Sequence, residues 1–246
     1  MKKVLFAIAC LFVATGHAQN VRVAAAGNLR FVLEDIKAKY IRENPGSKVD
    51  ITFGASGALT QQIINGATFD FFMAADIRFP QEIKEQGFAA GAVKTYAFGR
   101  LVLWSNIVDV SSGIQTLTSK NISRIAIAKP DVAPYGERAV ECLKYYSLYG
   151  ALKNKLVYAD NIAQAAQFAS TGNVEAAFLA YALIFGPGMK DNGNCYVLDT
   201  NSYRPVEQAC LLLREGGQNP EAVKFMKFVL STECKPLFEK YGYIVP

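Results

Sequence analysis

Two short loops rich in glycine and small polar residues are the segments of this sequence best suited to bind a ligand. They are Gly27-Asn28 and Gly54-Ala55-Ser56-Gly57, and each follows an apolar run. Glycine lets backbone N–H groups approach a ligand closely, and a helix that follows adds unpaired amides and a positive dipole end. Asn28 and Ser56 add neutral side-chain donors. Together the loops suit a small anion, although either one alone is also an ordinary helix N-cap.

Further candidate donors lie in the second half of the chain. Tyr135 occupies a turn before a predicted helix, and Tyr181 ends an apolar predicted strand. A phenol can donate its O–H to an oxyanion, although a tyrosine at a domain surface is the commoner situation. Asp160-Asn161 begins another predicted helix, so the backbone N–H of Ile162 lies in an unpaired first turn.

Enzymatic chemistry is poorly supported by the residues available for it. His17 is the only histidine, and no Gly-x-Ser-x-Gly motif is present. A general base paired with serine is therefore missing after residue 17. Asp76 and Glu34-Asp35 are candidate carboxylates, but the latter two lie on the polar face of a predicted helix. Neither glycine loop continues into the Gly-Lys-Ser/Thr of a nucleotide-binding phosphate loop. We therefore expect a protein that is not an enzyme.

The N-terminus predicts export. Lys2 and Lys3 precede the uncharged run 4–14, and Thr15-Gly16-His17-Ala18 offers the small residues of a cleavage site. This is the pattern of a signal peptide spanning residues 1–18, and it predicts a periplasmic mature chain that begins at Gln19. Cys10 leaves a lipoprotein as the alternative, because Ala7-Ile8-Ala9-Cys10 is a loose lipobox.

The composition of the mature chain excludes further classes. Loss of Lys2 and Lys3 lowers the formal net charge from +5 to +3, and no basic run is interleaved with aromatic residues. We therefore expect no nucleic-acid partner. The remaining cysteines form no Cys-x-x-Cys pair, which argues against zinc ribbons and redox dithiols; they are Cys142, Cys195, Cys210 and Cys234. Disulfides among them and burial as small apolar side chains both remain open.

The order of elements predicts an α/β fold. Strand-like and helix-like segments alternate, and this order favours mostly parallel sheets covered by helices on both faces. The pattern changes near Gly99, and the polar stretch Asp199-Thr200-Asn201-Ser202 offers a second crossover. We predict two lobes, residues 19–99 plus 200–246 and residues 100–199. The ligand cleft is expected between them, at the carboxyl ends of the strands.

The combined motifs resemble the molybdate-binding proteins of bacterial ABC importers over essentially the whole mature chain. The matching stretches are Val23 to Ala26 with its loop, Phe53 to Leu59, Asp70 to Asp76, Pro130 to Gly136, Asn173 to Tyr181, and Phe238 to Tyr243. The resemblance implies a two-lobed periplasmic binding protein fold of type II, with a cleft between two mixed-sheet α/β domains. It also implies an importer permease as partner, no cofactor, and a monomer.

The resemblance further implies a binding site for molybdate and tungstate made of neutral donors. Carried over by motif, the donors are the loop at Asn28, the hydroxyl and amide of Ser56, the amide of Tyr135, the amide of Ile162, and the phenol of Tyr181. No residue is expected to ligate the metal directly, because the metal arrives as an oxyanion. Whether Asn28 uses its side chain or its backbone is open. Sulfate, another small anion, a ferric complex, or a secreted enzyme using the cleft are the alternatives.

Overall fold

The computed structural model of the protein describes residues 20–246. The strands are β1 (Asn20–Ala26), β2 (Lys48–Gly54), β3 (Phe71–Ala74), β4 (Lys94–Gly99), β5 (Leu101–Ser105), β6 (Ile125–Ala128), β7 (Leu156–Ala159), β8 (Ala176–Ala180), β9 (Asn194–Val197) and β10 (Val206–Leu212). The helices are α1 (Arg30–Glu43), α2 (Ser56–Ile64), α3 (Arg78–Glu85), α4 (Pro134–Tyr145), α5 (Tyr149–Leu152), α6 (Ile162–Ser170), α7 (Arg214–Gly217), α8 (Pro220–Val229) and α9 (Lys235–Lys240). Short 3₁₀ turns include Gly27–Leu29 and Tyr181–Phe185. The predicted signal peptide and the alternative of lipidation at Cys10 lie outside the described residues.

The strands described form two mixed sheets. The first has the order β2-β1-β3-β10-β4 and the second the order β7-β6-β8-β5-β9. In the first, β1 runs parallel to β2 and β3, whereas β10 is antiparallel to β3 and β4. In the second, β6 runs parallel to β7 and β8, whereas β5 is antiparallel to β8 and β9. The predicted α/β class with mixed sheets is confirmed.

The expectation that the sheets are mostly parallel was too strong. Parallel neighbours need a crossover connection, usually a helix. The chain enters β5 from β4 through Arg100 alone, and it enters β10 from β9 through a short turn. These two strands therefore join their sheets without a covering helix and run antiparallel to their neighbours.

Most of the predicted elements are present, and their apolar faces are buried. Five apolar residues with the i, i+3, i+4, i+7, i+11 spacing of one helical face lie in α1 and the turn before it, and all are at most 1% exposed; they are Leu29, Val32, Leu33, Ile36 and Tyr40. The structure adds α3 and β4, which the pattern did not predict. Pro80 argues against a helix in sequence, but it lies in the first turn of α3, where a missing N–H costs nothing.

The chain changes sheets twice within the described residues. It leaves the first sheet after β4 and returns between β9 and β10. Both places lie close to the predicted lobe boundaries, which themselves stay a prediction. Of the helices in residues 20–246, none has the length and apolarity needed to cross a bilayer.

Candidate functional site

Ser56 begins α2 directly after the loop that follows β2, and it is 1% exposed. Its hydroxyl oxygen accepts a hydrogen bond from the backbone N–H of Ala75 at 3.0 Å. That bond uses the oxygen as an acceptor, so the hydroxyl hydrogen can be donated in another direction. The helix carries no side-chain cap, and the N–H of Ser56 belongs to its unpaired first turn. Ser56 can therefore offer two donors to an anion.

Asn28 lies in the 3₁₀ turn Gly27–Leu29 between β1 and α1 and is 1% exposed. Its side-chain Nδ2 donates to Gln208 Oε1 and to the Tyr243 hydroxyl, both at 2.8 Å. Both side-chain hydrogens are therefore engaged inside the protein. The Asn28 Oδ1 atom is an acceptor and would repel an anion. Of the two possibilities left open by the sequence, the geometry favours the backbone of this loop as the donor.

Tyr135 stands in the first turn of α4, which starts with Pro134 and has no side-chain cap. Its ring is 1% exposed, and its hydroxyl accepts a hydrogen bond from Gln208 Nε2 at 3.0 Å. Burial is the main reason why the pKa of this phenol lies well above its ordinary value, so the phenol stays neutral. The side chain thus points into the protein, and the backbone amide is the group left for a ligand.

Ile162 is the first residue of α6 and is 4% exposed. The side chain of Asn161 caps this helix by accepting from the N–H groups of Ala163 and Gln164, at 3.0 and 3.1 Å. The cap satisfies the second and third amides of the helix. The N–H of Ile162 precedes them and has no partner within the helix. The backbone N–H of Ile162 therefore lies in the unpaired first turn of α6.

Tyr181 begins the 3₁₀ turn Tyr181–Phe185 directly after β8 and is partly exposed. Its N–H donates to the carbonyl of Arg100 at 2.9 Å. The Arg100 guanidinium lies over its ring, 4.3 Å from the centroid, and Arg100 Nε donates to the carbonyl of Gly242 at 3.1 Å. These contacts fix the ring, and the positive charge of Arg100 sits on the aromatic face.

The structure brings these segments together from both sheets. A Cβ atom at Gly27 would lie 3.2 Å from Asn161 Oδ1, so the first loop abuts the start of α6. The N–H of Gly57 donates to the carbonyl of Val132 at 2.9 Å, which joins the start of α2 to the loop before α4. The turn at Tyr181 packs against the turn Gly27–Leu29. Three helix N-termini thus converge from two units, an arrangement that favours a bound anion.

A buried group of charged residues lies beside these loops. Asp76 and Arg138 are joined at 2.6 Å, with side chains 5% and 3% exposed. Arg78 also contacts Asp76, at 3.1 Å. Burial would raise the pKa of the Asp76 carboxyl, but hydrogen bonds from Arg78 and the charge of Arg138 outweigh it, so the pKa lies below its usual range. Asp76 is an ionised partner of two arginines and is therefore not poised as a general base.

The cysteines that the structure describes are free, which resolves one question left open by the sequence. Cys142, Cys210 and Cys234 are fully buried, and Cys195 is partly exposed. Among residues 20–246 no group of three or more His, Cys, Asp or Glu side chains is arranged to hold a metal ion.

Comparison with known proteins gives the family. The model for bacterial extracellular solute-binding proteins matches residues 21–244. The chain belongs to this family. This solute-binding protein is 36% identical over 237 residues to the molybdate-binding protein ModA of Azotobacter vinelandii, covering 95% of this chain and 93% of the relative. It is 34% identical over 232 residues to ModA of Rhodobacter capsulatus, covering 92% and 89%.

A solved structure agrees with the sequence comparison. The periplasmic molybdate-binding protein of Azotobacter vinelandii superimposes with a TM-score of 0.85 at 30% identity, covering 92% of this chain and 99% of that one. The predicted membership and the two-sheet binding-protein fold are confirmed.

The sequence analysis missed the polar residues that support the loops of this solute-binding protein. Gln208 is fully buried within β10, and Tyr96 and Tyr243 are 5% and 4% exposed beside it. A glutamine that directly precedes the apolar run from Ala209 to Leu212 is a signal that could have been used, because a buried amide must find partners. No local signal pointed to the pairing of Asp76 with Arg138.

Proposed function

We propose that this solute-binding protein captures molybdate, and tungstate with it, and delivers the oxyanion to the permease of an ABC importer. Two relatives, at 36% and 34% identity, carry the name molybdate-binding protein. The proposed donors are the loop backbone at Asn28, the hydroxyl and amide of Ser56, the amides of Tyr135 and Ile162, and the phenol of Tyr181.

The hydrogen bond from the Ala75 N–H to the Ser56 hydroxyl oxygen is the observation that carries the proposal. With its oxygen engaged as an acceptor, the hydroxyl presents its hydrogen to the cleft. A fully deprotonated oxyanion accepts hydrogen bonds and donates none, so a site of outward donors suits it.

The proposed donors are all neutral, and this fits the energetics of a buried dianion. Each hydrogen bond to a charged group contributes about 1.5–3 kcal/mol net, so several bonds made together offset the loss of hydration. The N-termini of α2, α4 and α6 add favourable potential without a competing counterion. A rigid ring of donors also selects by size, which separates molybdate and tungstate from the smaller sulfate.

The proposed function also involves two lobes, a periplasmic location and a monomeric protein. We propose lobes of residues 19–99 plus 200–246 and residues 100–199, which close over the ligand. The protein acts in the periplasm after removal of residues 1–18, as a monomer that binds its ligand without converting it. Hydrogen bonds and ion pairs between the two units, such as Asp76 with Arg138, support a closed arrangement.

Calorimetric titration of residues 19–246 with molybdate, tungstate, sulfate and phosphate tests the ligand. We expect tight one-to-one binding of the first two and little heat from the others. Tight binding of sulfate alone would replace the proposed ligand with the smaller tetrahedral anion. No heat with any of them would refute oxyanion capture.

A matched pair of variants links the binding to the proposed site. Ser56→Ala removes a proposed donor. Ser111→Ala removes a hydroxyl from an exposed loop that contributes no proposed donor. We expect the first to weaken molybdate binding and the second to leave the affinity unchanged. Equal affinities for both variants would remove Ser56 from the site.

A further inference from the structure

A buried chain of neutral polar side chains connects two of the proposed ligand loops. At its centre is Gln208 of β10, which is fully buried. Its Oε1 accepts from Asn28 Nδ2 at 2.8 Å and from the Tyr96 hydroxyl at 3.0 Å. Its Nε2 donates to the Tyr135 hydroxyl at 3.0 Å. One amide therefore contacts the first ligand loop with its oxygen and the start of α4 with its nitrogen.

The Asn28 end of this chain is held on two sides. Tyr243 donates its hydroxyl hydrogen to the carbonyl of Asn28 at 3.0 Å, and the same oxygen accepts from Asn28 Nδ2 at 2.8 Å. The side chain and the carbonyl of Asn28 are thus both fixed by buried partners. This fixes the backbone of the loop whose N–H groups are proposed to face the ligand.

The Tyr135 end of the chain reaches across from the second unit. Tyr135 belongs to α4, which packs on β6 of the second sheet, whereas Gln208 lies in the first sheet. The hydroxyl of Tyr135 lies against Gly99 at the crossover, where any Cβ atom would overlap it. The bond between Gln208 and Tyr135 therefore joins the two units beside this crossover, and an opening that moves α4 away from β10 breaks it.

We propose that Gln208 is the positioning residue that couples the two halves of the oxyanion site. It fixes the Asn28 loop and the start of α4 relative to each other, so that the donors from both units contact the ligand at the same time. The inference rests on the proposed function of this site. An amide suits the position, because its oxygen accepts from Asn28 while its nitrogen donates to the Tyr135 hydroxyl. The amide is also uncharged, so it adds no repulsion behind a bound dianion.

The bond from Gln208 to Tyr135 should act mainly on ligand release. A neutral hydrogen bond present only in the closed form favours that form by about 3- to 10-fold. Its loss should raise the dissociation rate of molybdate by that factor and leave the association rate unchanged. Gln208→Glu should weaken molybdate binding more than Gln208→Met does, because it replaces the amide donor with a carboxylate near the bound dianion.

A double-mutant cycle with stopped-flow kinetics tests the coupling. The variants are Gln208→Met, Tyr135→Phe and their combination, and Glu207→Gln on the same strand is the control. Tyr135→Phe keeps the amide that is proposed to contact the ligand. We expect each single variant to speed release, the double variant to add little to Gln208→Met, and Glu207→Gln to match the unmodified protein. Additive effects, or unchanged release rates with only lowered melting temperatures, would overturn the inference.

A second readout does not need the ligand. Small-angle scattering of the ligand-free protein reports how far apart the two units sit on average. Gln208→Met and Tyr135→Phe should enlarge the radius of gyration to the same extent, and Glu207→Gln should not. If the unmodified protein does not bind molybdate but the radius of gyration of the two variants increases as expected, the coupling is supported and the proposed ligand is wrong. If molybdate binds but the substitutions change neither its dissociation rate nor the radius of gyration, the coupling is wrong.

Discussion

Removing Arg138 should destabilise the protein strongly, because it breaks the buried ion pair with Asp76. The two side chains are 2.6 Å apart and at most 5% exposed. Loss of one partner of a buried pair typically costs 3–5 kcal/mol, since the other charge stays buried. Asp76 keeps its contact with Arg78, so we expect the lower end, about 3 kcal/mol for Arg138→Met. For a chain of this size that lowers the melting temperature by about 6–12 °C.

Urea unfolding at neutral pH measures this loss. Arg204→Met is the matched control, because Arg204 contacts Glu137 and Glu141 with a side chain that is 56% exposed. An exposed pair of this kind contributes about 0–1 kcal/mol. The double variant Asp76→Asn/Arg138→Met should cost less than the two single variants together, by about 0.5–3 kcal/mol. A loss below about 0.5 kcal/mol for Arg138→Met, or strict additivity, would refute the reasoning.

The stability that the Asp76–Arg138 pair contributes should fall as the pH is lowered. The contacts with Arg78 and Arg138 outweigh burial and hold the pKa of Asp76 below its ordinary value. The stabilisation by the carboxylate is therefore complete above the pKa of the unfolded chain, about 3.9, and is lost as the pH falls through the lower pKa of the folded protein. The stability difference between the unmodified protein and Asp76→Asn should shrink as the pH is lowered from about 5 to about 2.

Other expected outcomes concern the donors and the thiols. Ser56→Ala should weaken molybdate binding by about 1.5–3 kcal/mol in calorimetry, and it should lower the stability to urea by about 1–3 kcal/mol because the Ala75 N–H loses its partner. Tyr181→Phe should weaken binding by a similar amount without changing stability, and unchanged affinity would remove its phenol from the site. In native protein a thiol reagent should modify Cys195 first, since it is partly exposed, whereas the other three thiols are fully buried and burial raises their pKa to about 11 or 12; they are Cys142, Cys210 and Cys234. Rapid modification of several thiols would contradict this.

The local pattern of the sequence was sufficient for most elements. The spacing of apolar residues in α1 predicted a face that is buried in the structure, because helical periodicity alone decides which side chains share a face. Glycine loops after β1 and β2 predicted where backbone amides are left unpaired. Of the missed elements, α3 contains Pro80, and β4 has only two buried residues, Tyr96 and Ala97.

The local pattern could not give strand direction. The antiparallel strand β5 is as fully buried as the parallel strand β6, so an apolar run did not reveal strand direction, and the orientation of β5 and β10 followed only from how the chain crosses between the sheets. The same limit applied to Asn28, whose side chain was a candidate donor in sequence. Its hydrogens are already used by Gln208 and Tyr243 in the structure.

The sequence by itself determined the α/β class, the buried faces of its helices, and the positions of the glycine loops after β1 and β2. These depend on residues within one or two turns of each other. The tertiary structure alone decided which distant residues support those loops. Asn28 and Gln208 are 180 positions apart, and Asp76 and Arg138 are 62 apart. Such partners are brought together by the strand order within one sheet and by the packing of the two units, and a buried polar group is stable only with the partner that the tertiary structure supplies.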